Sequence, residues 1–146
     1  MKDIAQILRT KPDQAVYTVE SSASVFDAVM LMAKKNIGAL VVLDGDAFAG
    51  VLSERDCARK SLLSDLSPRQ MTVRDIMTTP IQYVRPNHTN EDCMALMTDK
   101  RLRHLPVMDN GRLIGVVSIG DLVKDIISEQ SFMIEQLEQY IAGVRG

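Results

Sequence analysis

Two serines each stand three positions before an aspartate, in Gly50-Val51-Leu52-Ser53-Glu54-Arg55-Asp56 and in Gly115-Val116-Val117-Ser118-Ile119-Gly120-Asp121. A serine where a strand runs into a helix can cap that helix by accepting a backbone N–H from its first turn. The helix start also offers unpaired N–H donors and a partial positive charge, which suit a phosphate. A carboxylate one turn in can accept two hydroxyls at once, as a ribose 2′,3′-diol presents them. Arg55 adds a charge-assisted donor for phosphate, and Gly120 occupies its place in the second copy. Gly50 and Gly115 let a backbone or a flat base approach closely. The plainer alternative is a capping box, in which the carboxylate reaches back to the serine N–H. Recurrence of the pattern, and a preceding glycine that capping does not require, favour a binding site.

The two segments share one ungapped register. It runs from Val19/Val84 through Asp27/Asp92, Met32/Met97, Leu40/Leu105 and Asp44/Asp109 to Asp56/Asp121. A register of that length is a duplicated unit, and two like units usually pack about a pseudo-twofold axis that creates one cleft with two half-sites.

Each copy reads strand, helix, strand, strand, helix. Val16 to Val19 is predicted as a strand, and Ser22 or Ser24 as the cap of a helix whose buried face is Val25, Ala28, Val29, Met32 and Ala33. Ala39 to Leu43 is a continuous apolar strand, turned by Asp44-Gly45-Asp46 into Phe48 to Leu52. In the second copy Ile81 to Val84 is predicted as a strand and Thr89 as a helix cap. Leu105 to Met108 is a strand with Pro106 at its start or on an edge, and Asn110-Gly111 turns it into Leu113 to Val117. Ile4, Ile7 and Leu8 mark a short N-terminal helix. Thr72 caps a helical turn that ends near Met77. After Asp125 a last helix carries Phe132, Met133, Leu137, Tyr140, Ile141 and Val144 on one face, suited to its own domain or to a subunit contact.

Bulk properties narrow the function. The chain has 146 residues, 46% of them hydrophobic and 25% charged, with a formal net charge of −2. That is ordinary for a soluble globular protein and gives no basic footprint for nucleic acid. No apolar run reaches the length of a membrane span, and the first residues do not form a secretory signal. Cys57 and Cys93 fit a reducing cytoplasm as free thiols. No histidine has a thiol or carboxylate near it at metal-ligand spacing, so no metal is expected. His88 reads as a solvated turn residue. His104, beside Arg103, reads as a polar-cleft contact or a packed surface pair. No nucleophile–base pair and no phosphate-loop motif stands out, so catalysis is not expected.

The two serine motifs, with Arg103-His104-Leu105-Pro106-Val107 and its Asp-Asn-Gly turn, resemble a tandem pair of cystathionine-β-synthase (CBS) domains, a Bateman module, from about Ile4 to Ser128. The resemblance implies an α/β (α+β) fold of two βαββα repeats about a pseudo-twofold axis, with extra N- and C-terminal helices. As a stand-alone module it would span 1–146, with a first repeat at 12–62, a second at 76–128 and a C-terminal helix at 129–146. It implies an adenosine ligand (AMP, ADP, ATP, NAD or S-adenosylmethionine) in the cleft between the repeats. One site would use Asp56 on ribose, Ser53 and Arg55 near phosphate and Val51 by the base, with Met77, Pro80, Gln82, Leu102 and Arg103, and Gly38 and Ala39 behind. The other would use Asp121, Ser118, Val116, His104 and Arg103, with Pro12, Tyr17, Ile37 and Gly38. Gly120 lacks the phosphate donor of Arg55, and Tyr17 is bulky beside an adenine, so the sites should be unequal. The implied role is regulatory, in a homodimer acting on an unidentified protein. Two rivals stand beside it: an enzyme that processes a nucleotide in the same cleft, and a purely structural dimerisation module.

Overall fold

The computed structural model describes residues 2–145, with side chains described to residue 143. Its elements are α1 (Ile4–Thr10), β1 (Thr18–Glu20), α2 (Val25–Lys35), β2 (Ala39–Asp44), β3 (Ala47–Ser53), α3 (Glu54–Leu62), α4 (Val73–Ile76), α5 (Asn90–Lys100), β4 (His104–Asp109), β5 (Arg112–Ser118) and α6 (Ile119–Arg145). The fold is thus α/β, with two small sheets. Two units form. The first is Val16–Gln82, and the second joins Met1–Ala15 to Tyr83–Gly146.

In the first unit, Ser24 caps α2 by accepting the Asp27 N–H at 3.0 Å, and Asn36 ends the helix in the left-handed region at φ 54°. An amide side chain tolerates that conformation better than most. Val25, Ala28 and Met32 face the core with Leu40, Val42, Leu52 and Val73, while Val29 and Ala33 lie at the surface. The predicted five-residue apolar face is therefore narrower in the fold. β2 pairs parallel with β1 and antiparallel with β3, with a bulge after Val42.

The second unit repeats these devices at equivalent positions. Thr89 caps α5, and Arg101 ends it at φ 56°. β4 and β5 pair antiparallel with a bulge after Val107, around an Asn110-Gly111 turn in which both residues have positive φ. Its core is Ile4, Ile7, Val84, Cys93, Met97, Leu105, Val107, Val117 and Leu122.

Two expectations need correction. The strand predicted at Ile81 to Val84 is a single parallel bridge, Val84 to Val107. In the first unit the ladder closes with Val41 N–H on Tyr17 carbonyl and Ser21 N–H on Leu43 carbonyl. The equivalent donors are Pro106 and Pro86, which carry no N–H, so both outer rungs are missing. Pro106 is the third residue of β4, which as one strand of a two-stranded sheet is an edge strand, the second of the two places expected for it. The C-terminal helix is not separate either, because α6 runs unbroken for 27 residues from Ile119. Phe132, Met133, Leu137, Tyr140 and Ile141 are exposed on it, and the Val144 side chain lies outside the described residues.

One regularity escaped the sequence. Each repeat is preceded by a capped helix that packs in the other repeat's unit. Asp3 and Gln6 form a capping box on α1, and Thr72 and Asp75 form one on α4. Ile4 N–H then bonds His88 carbonyl, while Val73 N–H bonds Ala23 carbonyl. So α1 completes the second unit, and the segment from Thr72 to Gln82 belongs with the first.

Candidate functional site

The first corner forms where β3 meets α3. Ser53 Oγ accepts the Asp56 N–H at 3.1 Å. Ala39 pairs with Ser53 across the strands, and the Gly38 carbonyl accepts the Glu54 N–H at 3.0 Å, which fixes the back of the turn. Asp56 Oδ2 does not reach back to the serine. It accepts the Thr78 hydroxyl at 2.7 Å instead. Thr78 is placed for this by a two-way bridge with Val51, N–H to carbonyl at 2.8 and 3.3 Å. Pro80 and Gln82 follow in the same segment, and Met77 packs on the core. Arg55 is exposed and forms no ion pair among the described residues. Tyr17 and Ile37 pack on the first core, with Lys35 Nζ 5.4 Å from the tyrosine ring centre.

The second corner forms where β5 meets α6 and is wired differently. Ser118 Oγ accepts the Asp121 N–H at 3.1 Å, and Asp121 Oδ2 accepts the Ser118 N–H at 2.9 Å, closing a full capping box. Lys11 Nζ lies 3.1 Å from the same Oδ2 and donates to the Val116 carbonyl at 2.7 Å. The Arg103 carbonyl accepts the Ile119 N–H at 2.9 Å, as Gly38 does in the first copy. His104 pairs with Ser118 across the strands. Burial pushes its imidazole below the usual histidine range, Lys11 and Arg103 push the same way, and Asp121 opposes them. Leu102 packs on the second core, and Pro12 and Arg103 are exposed.

Leu102 and Arg103, expected at the first site, lie in the second unit. Tyr17, Ile37 and Gly38, expected at the second site, lie in the first. Lys11 and Thr78 were missed altogether. The signal was the paired capping boxes, Asp3-x-x-Gln6 and Thr72-x-x-Asp75, whose helices deliver these residues to the corners.

The glycines permit the close approach expected of them, and at Gly50 it is a backbone that comes close. A Cβ at Gly50 would meet the Thr78 carbonyl at 2.9 Å and Met77 Sδ at 3.0 Å, and one at Gly115 would meet Leu8 Cδ2 at 2.8 Å. In each unit the glycine makes room for the incoming capped helix or its tail.

Cys57 and Cys93 are buried, and burial first, with neighbouring carboxylates second, pushes each thiol up to about 11. At neutral pH both are protonated core fillers, not thiolate nucleophiles. His88 is a built part of its turn: its Nδ1 accepts the Arg85 N–H at 2.8 Å. Among the described residues no group of three or more His, Cys, Asp or Glu could hold a metal ion, and no helix is long and apolar enough to cross a membrane. Next to the first corner, α2 and α3 flank an apolar groove of about 600 Å³ lined by Val25, Val29, Met32, Cys57 and Leu62, and by Glu54 of the first motif.

The chain is similar to known proteins along most of its length. It is 40% identical over 125 residues to the mitochondrial CBS domain-containing protein CBSX3 of Arabidopsis thaliana, which covers 82% of this chain and 61% of that protein. A solved CBS-domain protein from Burkholderia ambifaria superposes with a TM-score of 0.85 at 52% identity, covering 88% of this chain and 96% of that one. The CBSX2 structure in complex with AMP superposes with a TM-score of 0.71 at 28% identity, covering 89% of this chain and 99% of that one. The CBS domain profile matches residues 2–62 and 73–128. With two repeats of one fold, each ending in a serine-capped helix with an aspartate in its first turn, the chain belongs to the CBS-domain family.

Proposed function

We propose that this chain is a regulatory, signal-transducing module of the cytoplasm that binds an adenosine nucleotide (AMP, NAD or ATP) at its Ser-x-x-Asp corners. It carries out no catalytic step and passes its occupancy to a protein partner. The observation that carries the reading is the first corner. There Asp56 stands in the first turn of a serine-capped helix, and its carboxylate is turned out of the capping box onto the hydroxyl of Thr78. A carboxylate free of its own cap keeps acceptor capacity for a ribose diol, beside helix N–H groups and Arg55 for phosphate. AMP in the similar CBSX2 structure supports the same ligand class.

Native mass spectrometry of the purified protein, followed by melting curves with added AMP, ATP and NAD, tests this reading. A ligand at a hundred times its dissociation constant stabilises the fold by about 2.7 kcal/mol. No shift at millimolar concentration of any of the three would refute it. Chromatography of the same nucleotides after incubation, with and without divalent metal, separates it from the enzyme reading: they should return unchanged.

A homodimer is part of the proposal, and the distal half of α6 is the surface assigned to it. Met133, Ile134, Leu137, Tyr140 and Ile141 recur at helical spacing there and are exposed. A Leu137→Glu, Ile141→Glu double variant should sediment as a smaller species than the wild type, and an unchanged mass would remove this surface from the account.

A further inference from the structure

We infer that Lys11 sets the ligand preference of the second corner, making it select a phosphate-bearing nucleotide over the bare nucleoside. The inference rests on the adenosine reading above and concerns one residue outside both serine motifs.

Asp121 Oδ2 is filled from two directions, by the Ser118 N–H at 2.9 Å and by Lys11 Nζ at 3.1 Å. The two side chains are only 28% and 19% exposed, so their attraction is less screened than that of a surface pair. A ribose diol needs that carboxylate as a double acceptor. A nucleoside arriving there competes with the ammonium and gives it nothing in return. A nucleotide brings its own anion, so Lys11 can turn from Asp121 to phosphate while the diol takes the carboxylate.

Lys11 is also well placed for phosphate. Its Nζ is held at the corner by the Val116 carbonyl at 2.7 Å, and Gly120 leaves the helix start open, with only Ser118 Oγ within reach of an added Cβ, at 3.6 Å. The cation absent from the motif at Gly120 thus arrives from the chain after α1. The first corner lacks this arrangement: Asp56 meets a neutral hydroxyl, and Arg55 offers charge without occupying the carboxylate. Discrimination between nucleotide and nucleoside should be weaker there.

Calorimetry with AMP and adenosine on an Asp56→Ala variant isolates the second corner. That variant should prefer AMP by about tenfold or more, the scale of a charge-assisted contact. Adding Lys11→Met should weaken AMP, strengthen adenosine and bring the ratio towards one, while Lys11→Arg should keep it. An AMP-to-adenosine ratio untouched by Lys11→Met overturns the inference and leaves the adenosine reading standing. Wild-type protein that binds neither compound overturns both, and does so before any variant is made. If circular dichroism shows Lys11→Met to be unfolded, a salt series on the Asp56→Ala protein serves instead. The AMP preference should then shrink as ionic strength rises, and a flat ratio counts against Lys11.

Discussion

The two corners begin from the same four-residue motif and end in different electrostatic states. Asp56 has left its capping box for the hydroxyl of Thr78, whereas Asp121 stays in its box and is neutralised by Lys11. The serine, the aspartate and the strand-to-helix turn are common to both. The difference comes from what the preceding helix delivers, a short α4 with a threonine tail in one unit and a longer α1 with a lysine in the other. A motif therefore fixes where a carboxylate stands, and a neighbouring segment fixes what that carboxylate is free to do.

Removing the carboxylates should have the largest effect on binding. Asp56→Ala and Asp121→Ala should each weaken one binding event ten- to a hundredfold, since hydrogen bonds to a charged acceptor are worth about 1.5–3 kcal/mol. Adenosine titrations read this directly, and the Asp56 change should dominate them because that carboxylate has no cation to displace.

The next effect is on stability and separates the two glycines. Gly50→Ala pushes a Cβ against the Thr78 backbone carbonyl and should lower stability by about 1–3 kcal/mol. Gly115→Ala meets only the ends of the Leu8 side chain, which can turn aside, and should cost less. Urea unfolding of both variants gives the order, and a reversed order would mean that the tail of α4 yields more readily than Leu8.

Arg55→Ala should weaken nucleotide binding at the first corner alone, more at low salt than at high salt, because the guanidinium is exposed. Equal weakening at both corners would show that Arg55 acts through the overall field of the protein.

The smallest expected effect is a pH slope from His104. Its folded pKa lies below the ordinary value of 6.5, so the unfolded chain takes up the proton first as pH falls. Its neutral-form stability is fully present above pH 6.5 and is lost as pH drops from there through the lower folded pKa. A single group contributes at most about 1.4 kcal/mol per pH unit over that window. Denaturant midpoints measured downward from pH 7 should lose this component in His104→Gln. The first corner has no counterpart, since Gly38 and Ala39 occupy the matching turn.

Much of this was legible because the chain says it twice. Ser24/Thr89 and Ser53/Ser118 announce helix starts by type, and Asp44-Gly45 and Asp109-Asn110-Gly111 announce turns. What stayed hidden depended on missing atoms or on distant neighbours. Pro86 and Pro106 are plain in the sequence, yet their effect shows only once Ser21 and Val41 are seen donating the equivalent ladder bonds. Lys11 stands just after a short N-terminal helix, and nothing local ties it to Asp121, which lies far along the chain. Gly50 and Gly115 were correctly marked as close approaches, but composition cannot say whether a base or a leucine comes close.

An amide chemical-shift titration with AMP tests the central claim most directly. The account predicts shifts centred on Ser53 to Asp56 and on Ser118 to Asp121, with the two sets moving at different AMP concentrations. Shifts confined to the apolar groove between α2 and α3, or none at millimolar AMP, would contradict it.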